Sequence, residues 1–145
     1  MTRNLRRLQG IESLFASREE TAGRELAQFE QVLKEAQSQL DVLRNYRASY
    51  LDGSPDRQPA HVTAMENQAS FLRRLDEAIG RQQQVVERAA LDRDQLRQRF
   101  NLCRRRTLAV GKAHTKRMAE HRTALDRQEQ KEIDAWRRAP LDPES

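Results

Sequence analysis

The side chains best suited to chemistry in this sequence are three histidines and one cysteine, and their spacing does not favour catalysis. His114 and His121 lie seven residues apart on one helix face, too far to share one metal ion without a third ligand nearby. We therefore interpret them, with His61, as surface histidines. The sequence contains no Gly-rich loop and no HExxH, CxxC or GxSxG motif. We expect no enzyme activity, no small-molecule substrate, no metal and no cofactor.

The single cysteine, Cys103, cannot form an internal disulfide, so the cytosol is the expected compartment. It falls on an apolar helix face, where we interpret it as a structural side chain. No apolar run approaches the length of a membrane span. No apolar signal-peptide core follows the basic start of the chain.

Composition favours long helices over a compact globule. Charged residues make up 34% of the chain, and only five Gly and four Pro occur in 145 residues. The mean hydropathy of −0.97 would suit a disordered chain, but Ala, Leu, Glu, Gln, Arg and Lys dominate, as in coiled coils. The formal net charge of +5 permits an acidic partner, which could be nucleic acid, an anionic membrane or an acidic protein surface.

Two long segments follow a seven-residue repeat, positions a to g, in which a and d are apolar, as is typical of coiled coils. In the first segment eleven of fourteen a and d positions are apolar. These positions are Leu5, Leu8, Glu12, Phe15, Glu19, Ala22, Leu26, Phe29, Leu33, Ala36, Leu40, Leu43, Arg47 and Tyr50. In the second segment ten of fourteen are apolar, counting Cys103. These positions are Met65, Gln68, Leu72, Leu75, Ile79, Gln82, Val86, Ala89, Arg93, Leu96, Phe100, Cys103, Thr107 and Val110.

A break from Asp52 to Pro59, which holds two prolines and a glycine, separates the two segments. Thr63 and Glu66 form a capping box that predicts the start of the second helix. In an antiparallel pair, the numbers of two residues that face each other have a constant sum. A sum of about 115 sets every a position opposite a d position, for example Leu40 opposite Leu75, and centres the turn in the break. A slip of one heptad would move the turn centre to about residue 54 or 61, and a kinked parallel homodimer would also keep the heptads.

The predicted fold is therefore all-α, a long two-helix antiparallel coiled-coil hairpin with a C-terminal helical overhang. We expect one domain over residues 1–145. Helix one would span about 3–51, the turn about 52–62, helix two about 63–138 and a disordered tail 139–145. The helices would be about 75 Å and 110 Å long at 1.5 Å per residue. Residues after about 113 would lack a partner in helix one, so this overhang either frays or binds something.

An aromatic band lies near the predicted turn. In an antiparallel pair the g positions of both helices flank the same side of the seam, which brings together Tyr46, Tyr50, Phe71, Leu75 and Ala78. Exposed aromatic bands are typical of protein-binding surfaces. A wide seam that needs extra packing beside a loose turn would give the same pattern, so both interpretations stay open.

The opposite end of the hairpin is basic. No acidic residue occurs from Gln95 to Ala119. The basic residues there are Arg97, Arg99, Arg104, Arg105, Arg106, Lys112, Lys116 and Arg117, and the antiparallel pairing adds Arg3, Arg6 and Arg7. Charge of one sign favours a docking surface for an acidic protein, lipid or nucleic acid over a merely solvated face. Nucleic acid is not expected, because only Phe100 interleaves with the arginines.

The stretch from Gln39 to Tyr50 resembles the QLxxLxxYxxxY signature of the FliJ family. The run from Asn67 to Val85 and the polar segment from Leu125 to Asp134 are also similar to that family, so the resemblance covers nearly the whole chain. It implies a cytoplasmic component of the bacterial flagellar type III export apparatus, an antiparallel coiled coil similar to the central stalk of rotary ATPases, peripherally associated with the inner membrane.

The resemblance also implies partners. These are the hexameric export ATPase, the cytoplasmic domain of the export-gate membrane protein, and export chaperones. The implied gate-binding residues are Gln39, Leu43, Tyr46, Tyr50, Phe71, Leu75, Ala78 and Gln82. The stalk analogy places the basic end in the ATPase ring, with Arg3, Arg6, Arg7, Arg104, Arg105, Arg106, Lys112, Lys116 and Arg117. The alternatives are the equivalent stalk of a virulence secretion system, or an unrelated basic coiled coil that binds nucleic acid.

Overall fold

The structure is a computed structural model that describes residues 2–52 and 62–140. Two helices account for nearly all of these residues: α1 spans Thr2–Asp52 and α2 spans Val62–Arg138. The two long helices pack against each other, and the described residues contain no strand. The predicted all-α fold of two long paired helices is thereby confirmed. Residues 53–61 of the predicted turn, which spans about 52–62, and most of the predicted tail lie outside the described residues.

The ends of α2 follow from local sequence. The helix begins at Val62, one residue before the N-cap that the capping box predicts at Thr63. Its last turn carries Arg137 and Arg138, whose positive charges interact favourably with the negative end of the helix dipole. Within the described residues no helix is long and apolar enough to cross a membrane.

The heptad positions form the interface between the helices. In α1 all fourteen predicted a and d side chains are buried or half-buried, and in α2 only Met65 is exposed. The most deeply buried side chains are all at a or d positions: Ala22, Leu33, Ala36, Leu40, Leu75 and Ala89. The predicted seam is therefore confirmed. No buried side-chain nitrogen or oxygen lacks a hydrogen-bond partner in the described part of the chain.

The chain divides into two compact units. Unit 1 consists of Met1–Glu20 and Asn101–Ser145, and unit 2 consists of Thr21–Phe100. Each unit contains one stretch of α1 and one of α2. The expectation of a single domain over residues 1–145 stays a prediction.

The pairing within unit 2 lies one heptad from the predicted one. Arg47 Nε is 2.6 Å from Oδ1 of Asp76, so these two residues lie opposite each other and their numbers sum to 123. In the predicted pairing, with Leu40 opposite Leu75, the numbers would sum to 115. A methyl group built on Gly23 would lie 3.3 Å from the ring of Phe100. Both observed pairs sum to 123, so the predicted register is wrong and the slipped register near 122 is the observed one.

Side-chain size explains the observed register. Phe100 has the largest ring in its part of the seam, and it lies against Gly23, next to the buried Ala22. The same register sets the buried Leu33 opposite the buried Ala89. Large side chains thus face small ones, and layers that alternate in size pack more densely than layers of uniform size.

The slip also moves the start of the overhang, within unit 1. Asn4 and Leu5 line a small cleft of about 200 Å³ together with Arg117, Glu120 and His121. Paired structure therefore extends to about residue 121, and the predicted start of the overhang at residue 114 is wrong. Beyond His121 every described side chain except Asp134 is exposed.

Two glycines in unit 2 give a matched test of this packing. We expect Gly80→Ala to raise the free energy of unfolding by about 0.5–1 kcal/mol, because alanine favours helix and nothing lies within 4 Å of the added methyl group. Gly23→Ala should gain clearly less, since its methyl group would press on Phe100 at 3.3 Å. Urea unfolding of both variants measures the difference. Equal gains would contradict the close approach of Phe100.

Candidate functional site

The predicted tip residues all lie in unit 2, and three aromatic rings form their centre. The ring of Phe71 lies 4.8 Å from that of Tyr50 and 6.1 Å from that of Tyr46, between ring centroids. The second pair meets edge to face, at 69° between the ring planes. Tyr50 and Phe71 are half-buried, whereas Tyr46 is 55% exposed. The cluster thus holds Tyr46 in place while leaving about half of it open to a partner.

A glutamine pair lies farther from the turn. Gln82 occupies a d position, and its Nε2 donates to the backbone carbonyl of Ala36 at 2.9 Å and to Oε1 of Gln39 at 3.3 Å. These bonds satisfy an amide in a mostly apolar seam. Gln39 is exposed and Gln82 is half-buried, so the predicted pair is brought together at the rim of the interface.

The remaining predicted tip residues are more deeply buried than Tyr46 and Gln39. Leu75 is only 7% exposed, and Leu43 and Ala78 are half-buried. Arg47 occupies an a position next to this layer, yet its guanidinium reaches out to Asp76, so its charge stays in solvent while its stem covers the seam. The predicted set is therefore partly surface and partly core.

The g flank, defined as the side of the seam that carries the g positions of both helices, extends the tip surface. Val85 and Val32 are both exposed and both at g positions, where the register sets them next to each other beyond Gln39 and Ala78. An ion pair between Arg99 and Glu25, at 3.6 Å, follows on the same flank. Sequence reasoning missed the two valines because it stopped at the aromatic residues, although the heptad positions alone could have identified them.

The basic residues fall into two groups that the sequence alone does not separate. Arg97 and Arg99 lie in unit 2, where Glu30 and Glu25 on α1 neutralise them at 3.5 Å and 3.6 Å. The other basic residues of the predicted basic end lie in unit 1 and are exposed. Within the described part of the chain none of them forms an ion pair: Arg3, Arg6, Arg7, Arg104, Arg105, Arg106, Lys112, Lys116 and Arg117.

Net charge is confined to unit 1. This unit holds 15 basic and 10 acidic side chains, a difference of +5, whereas unit 2 holds 12 of each. Arg104, Arg105 and Arg106 follow one another at about 100° around α2, so they point in three directions. With the exposed arginines of α1, positive charge is therefore present on both helices of unit 1 and does not form a single patch.

One histidine is not the surface residue that its sequence position suggested. The side chain of His114 is 24% exposed, and its Nδ1 lies 2.7 Å from Oε2 of Glu12 on α1. The predicted register left His114 outside the paired region, so the interpretation as a plain surface residue is wrong. No three His, Cys, Asp or Glu side chains in residues 2–52 and 62–140 are grouped so that they could hold a metal ion.

An apolar stripe runs along α2 from the end of the paired region into the overhang. Met118, Leu125, Ile133 and Trp136 are exposed and lie within about 80° of one another around α2, at 100° per residue. Trp136, the only tryptophan, is 83% exposed. Glu129 and Glu132 project from the same face, which disfavours burial of this stripe in lipid.

Comparison with protein families gives one match. The family model for the flagellar FliJ protein matches residues 4–137, which is nearly the whole chain. No curated protein and no solved structure matches the chain. Members of the matched family are cytoplasmic, non-catalytic components of the flagellar protein-export apparatus. Two paired helices, a polar composition and a match of this length lead to one conclusion: the chain belongs to the FliJ family.

Proposed function

We propose that this protein links two components of the flagellar export apparatus, with unit 2 binding the cytoplasmic domain of the export gate and unit 1 binding the hexameric export ATPase. The observation that carries the proposal is that the two units present surfaces of different chemistry. Unit 2 has no net charge and exposes an apolar-aromatic flank, whereas unit 1 has a net charge of +5. Surfaces of such different chemistry suit two different partners.

The gate contact is proposed for the exposed members of the tip set. Tyr46 supplies an aromatic ring with a free edge, Gln39 supplies amide hydrogen-bonding groups, and Val85 and Val32 continue the apolar surface along the g flank. Phe71 packs against Tyr46, and Tyr50 packs against Phe71. Aromatic side chains that are rigidly supported and half exposed are the type that most often carries binding energy.

The ATPase contact is proposed for unit 1 because positive charge is present on both of its helices. A partner that encloses the unit, as a hexameric ring would, could meet basic side chains on both helices. Long-range attraction of this kind raises association rates and fixes orientation. Peripheral association with the inner membrane would follow from the gate contact, and export chaperones complete the proposed partners without assigned residues. The family match favours the flagellar apparatus over a virulence secretion system.

The gate half of the proposal is tested by truncating Tyr46. We expect Tyr46→Ala to weaken binding of a purified gate cytoplasmic domain about tenfold, since an exposed aromatic anchor is typically worth 1–2 kcal/mol. Helicity and thermal stability should change little, because the ring packs only edge-on against Phe71. Isothermal titration calorimetry and circular dichroism measure the two effects.

Two further variants sharpen this test. Val85→Lys places a charge on the g flank and should also weaken gate binding. Val42→Ala removes an equally exposed apolar side chain from a c position of α1, away from that flank, and should have no effect. Equal binding by all three variants and the native chain would contradict the proposed gate surface. Loss of helicity in Tyr46→Ala would show that the ring belongs to the core.

A further inference from the structure

The two units differ in how well their helices are held together. All six of the most buried side chains belong to unit 2, and unit 1 has none in the part of the chain that the structure describes. Elements with few buried apolar contacts open more often than the rest of a protein. The difference predicts that the pairing of the helices is weaker in unit 1.

The seam of unit 1 is also more polar. Its a and d positions include Glu12 and Glu19 on α1, and Thr107 and His114 on α2. The hydroxyl of Thr107 bonds within its own helix, to the carbonyl of Cys103 at 2.9 Å, so it adds no attraction between the helices. The contact between Glu12 and His114 is partly exposed to solvent, and polar contacts there contribute little to stability.

Charge opposes the pairing as well. The stretches of α1 and α2 in unit 1 both carry unpaired basic side chains, with Arg3, Arg6 and Arg7 on one and Lys112, Lys116 and Arg117 on the other. The register near 122 places these two groups in the same stretch of unit 1, mostly at positions that face away from the seam. Like charges repel at low ionic strength, and the repulsion weakens with salt or with a bound anionic surface.

We propose that the two helices of unit 1 separate and re-pair while those of unit 2 stay paired, and that an acidic protein surface holds them paired. Part of the binding energy is then used to order unit 1, so the affinity for the acidic partner is lower than the charge alone would give. In the separated state the a and d side chains of both stretches, including Phe15 and Val110, face solvent.

The second half of this inference rests on the proposed function, since the export ATPase is the acidic partner meant. The first half does not, because it concerns the free chain. The two can fail separately. Unit 1 could open without binding the ATPase, and it could bind the ATPase as a permanently paired structure.

Amide hydrogen exchange of the full chain, read by mass spectrometry, tests the opening. Peptides from residues 3–20 and 101–120 should exchange about tenfold faster or more than peptides from 22–50 and 68–100. Raising the salt concentration to about 0.5 M should slow exchange in unit 1 more than in unit 2. Equal protection in the two units would overturn the proposal.

A matched pair of variants tests the cause. Glu19→Leu places an apolar side chain in the seam and should slow exchange of unit 1 severalfold. Ser13→Leu places the same side chain at an exposed b position of α1 and should leave exchange unchanged. If both variants act alike, or neither acts, the polar seam is not what weakens the pairing.

Poly-L-glutamate serves as the acidic polypeptide probe for the closing step. Bound polyglutamate should slow exchange of unit 1 and leave unit 2 unchanged, with binding followed independently by calorimetry. If polyglutamate binds without slowing exchange, its binding does not hold the helices of unit 1 paired, and that half of the proposal is wrong. If polyglutamate does not bind, an acidic surface is not what holds them paired. Purified ATPase, assayed for association in parallel, shows whether the proposed partner fails independently of the opening.

Discussion

Replacing Leu40 by alanine is expected to lower the free energy of unfolding by about 2–4 kcal/mol, the typical cost of removing three carbons from a well-packed seam. Leu40 is 6% exposed and occupies an a position in unit 2, where the helices are most tightly packed. Its neighbours belong to two long helices that cannot easily collapse into the space. Urea unfolding followed by far-UV circular dichroism measures the loss.

The control for this prediction lies two residues away. Val42 is 63% exposed on the same helix, and Val42→Ala should change the unfolding free energy by less than about 0.5 kcal/mol. A small effect at Leu40, comparable with that at Val42, would mean that the seam of unit 2 is not the main source of stability. The gate surface does not include either residue, so neither variant should alter gate binding while the chain stays folded.

Reversing the charge of Arg104, Arg105 and Arg106 to glutamate is expected to weaken association with the export ATPase by tenfold or more at low salt. Like charges across an interface repel, and the triple change should cost about 2 kcal/mol or more. The three side chains are exposed and unpaired within the described residues, so the helix itself should tolerate the change. Surface plasmon resonance at several salt concentrations separates the electrostatic part, because that part decreases as salt rises.

The matched control is a reversal of the same size in the neutral unit. Arg73, Arg74 and Arg81 are exposed on α2 in unit 2 and form no ion pair among the described residues. Their change to glutamate alters the net charge of the whole chain equally but should leave ATPase association nearly unchanged. If both triple variants lose association to the same degree, only total charge matters, and the assignment of the ATPase contact to unit 1 is wrong.

Heptad positions made most of the fold predictable. A period of seven with apolar a and d residues fixes which side of each helix is buried, because burial of the apolar stripe is the main source of stability for long helices. That reasoning assigned Leu33, Leu40 and Leu75 to the interface correctly. It placed the tip residues on one side of the seam for the same reason, and the contact of Tyr46 with Phe71 agrees with it.

The pairing register could not be obtained in the same way. Shifting one helix by seven residues preserves every a-to-d match, so the repeat itself does not distinguish a sum of 115 from one of 122. What distinguishes them is the fit of individual side chains, such as Phe100 against Gly23, and the partners of polar seam residues, such as Arg47 with Asp76. The misassignment of His114 and the early start of the overhang both follow from that one slip.

The position of Trp136 gives the protein two separate optical reporters. The only indole lies on the overhang and is 83% exposed, whereas both phenol rings belong to the tip cluster with Phe71. Tryptophan emission from the native chain should therefore be red-shifted, and it should shift to the blue only when something covers the overhang. Unfolding of unit 2 would change the tyrosine signal instead. A single unlabelled sample can thus distinguish a change at the overhang from a change at the tip cluster.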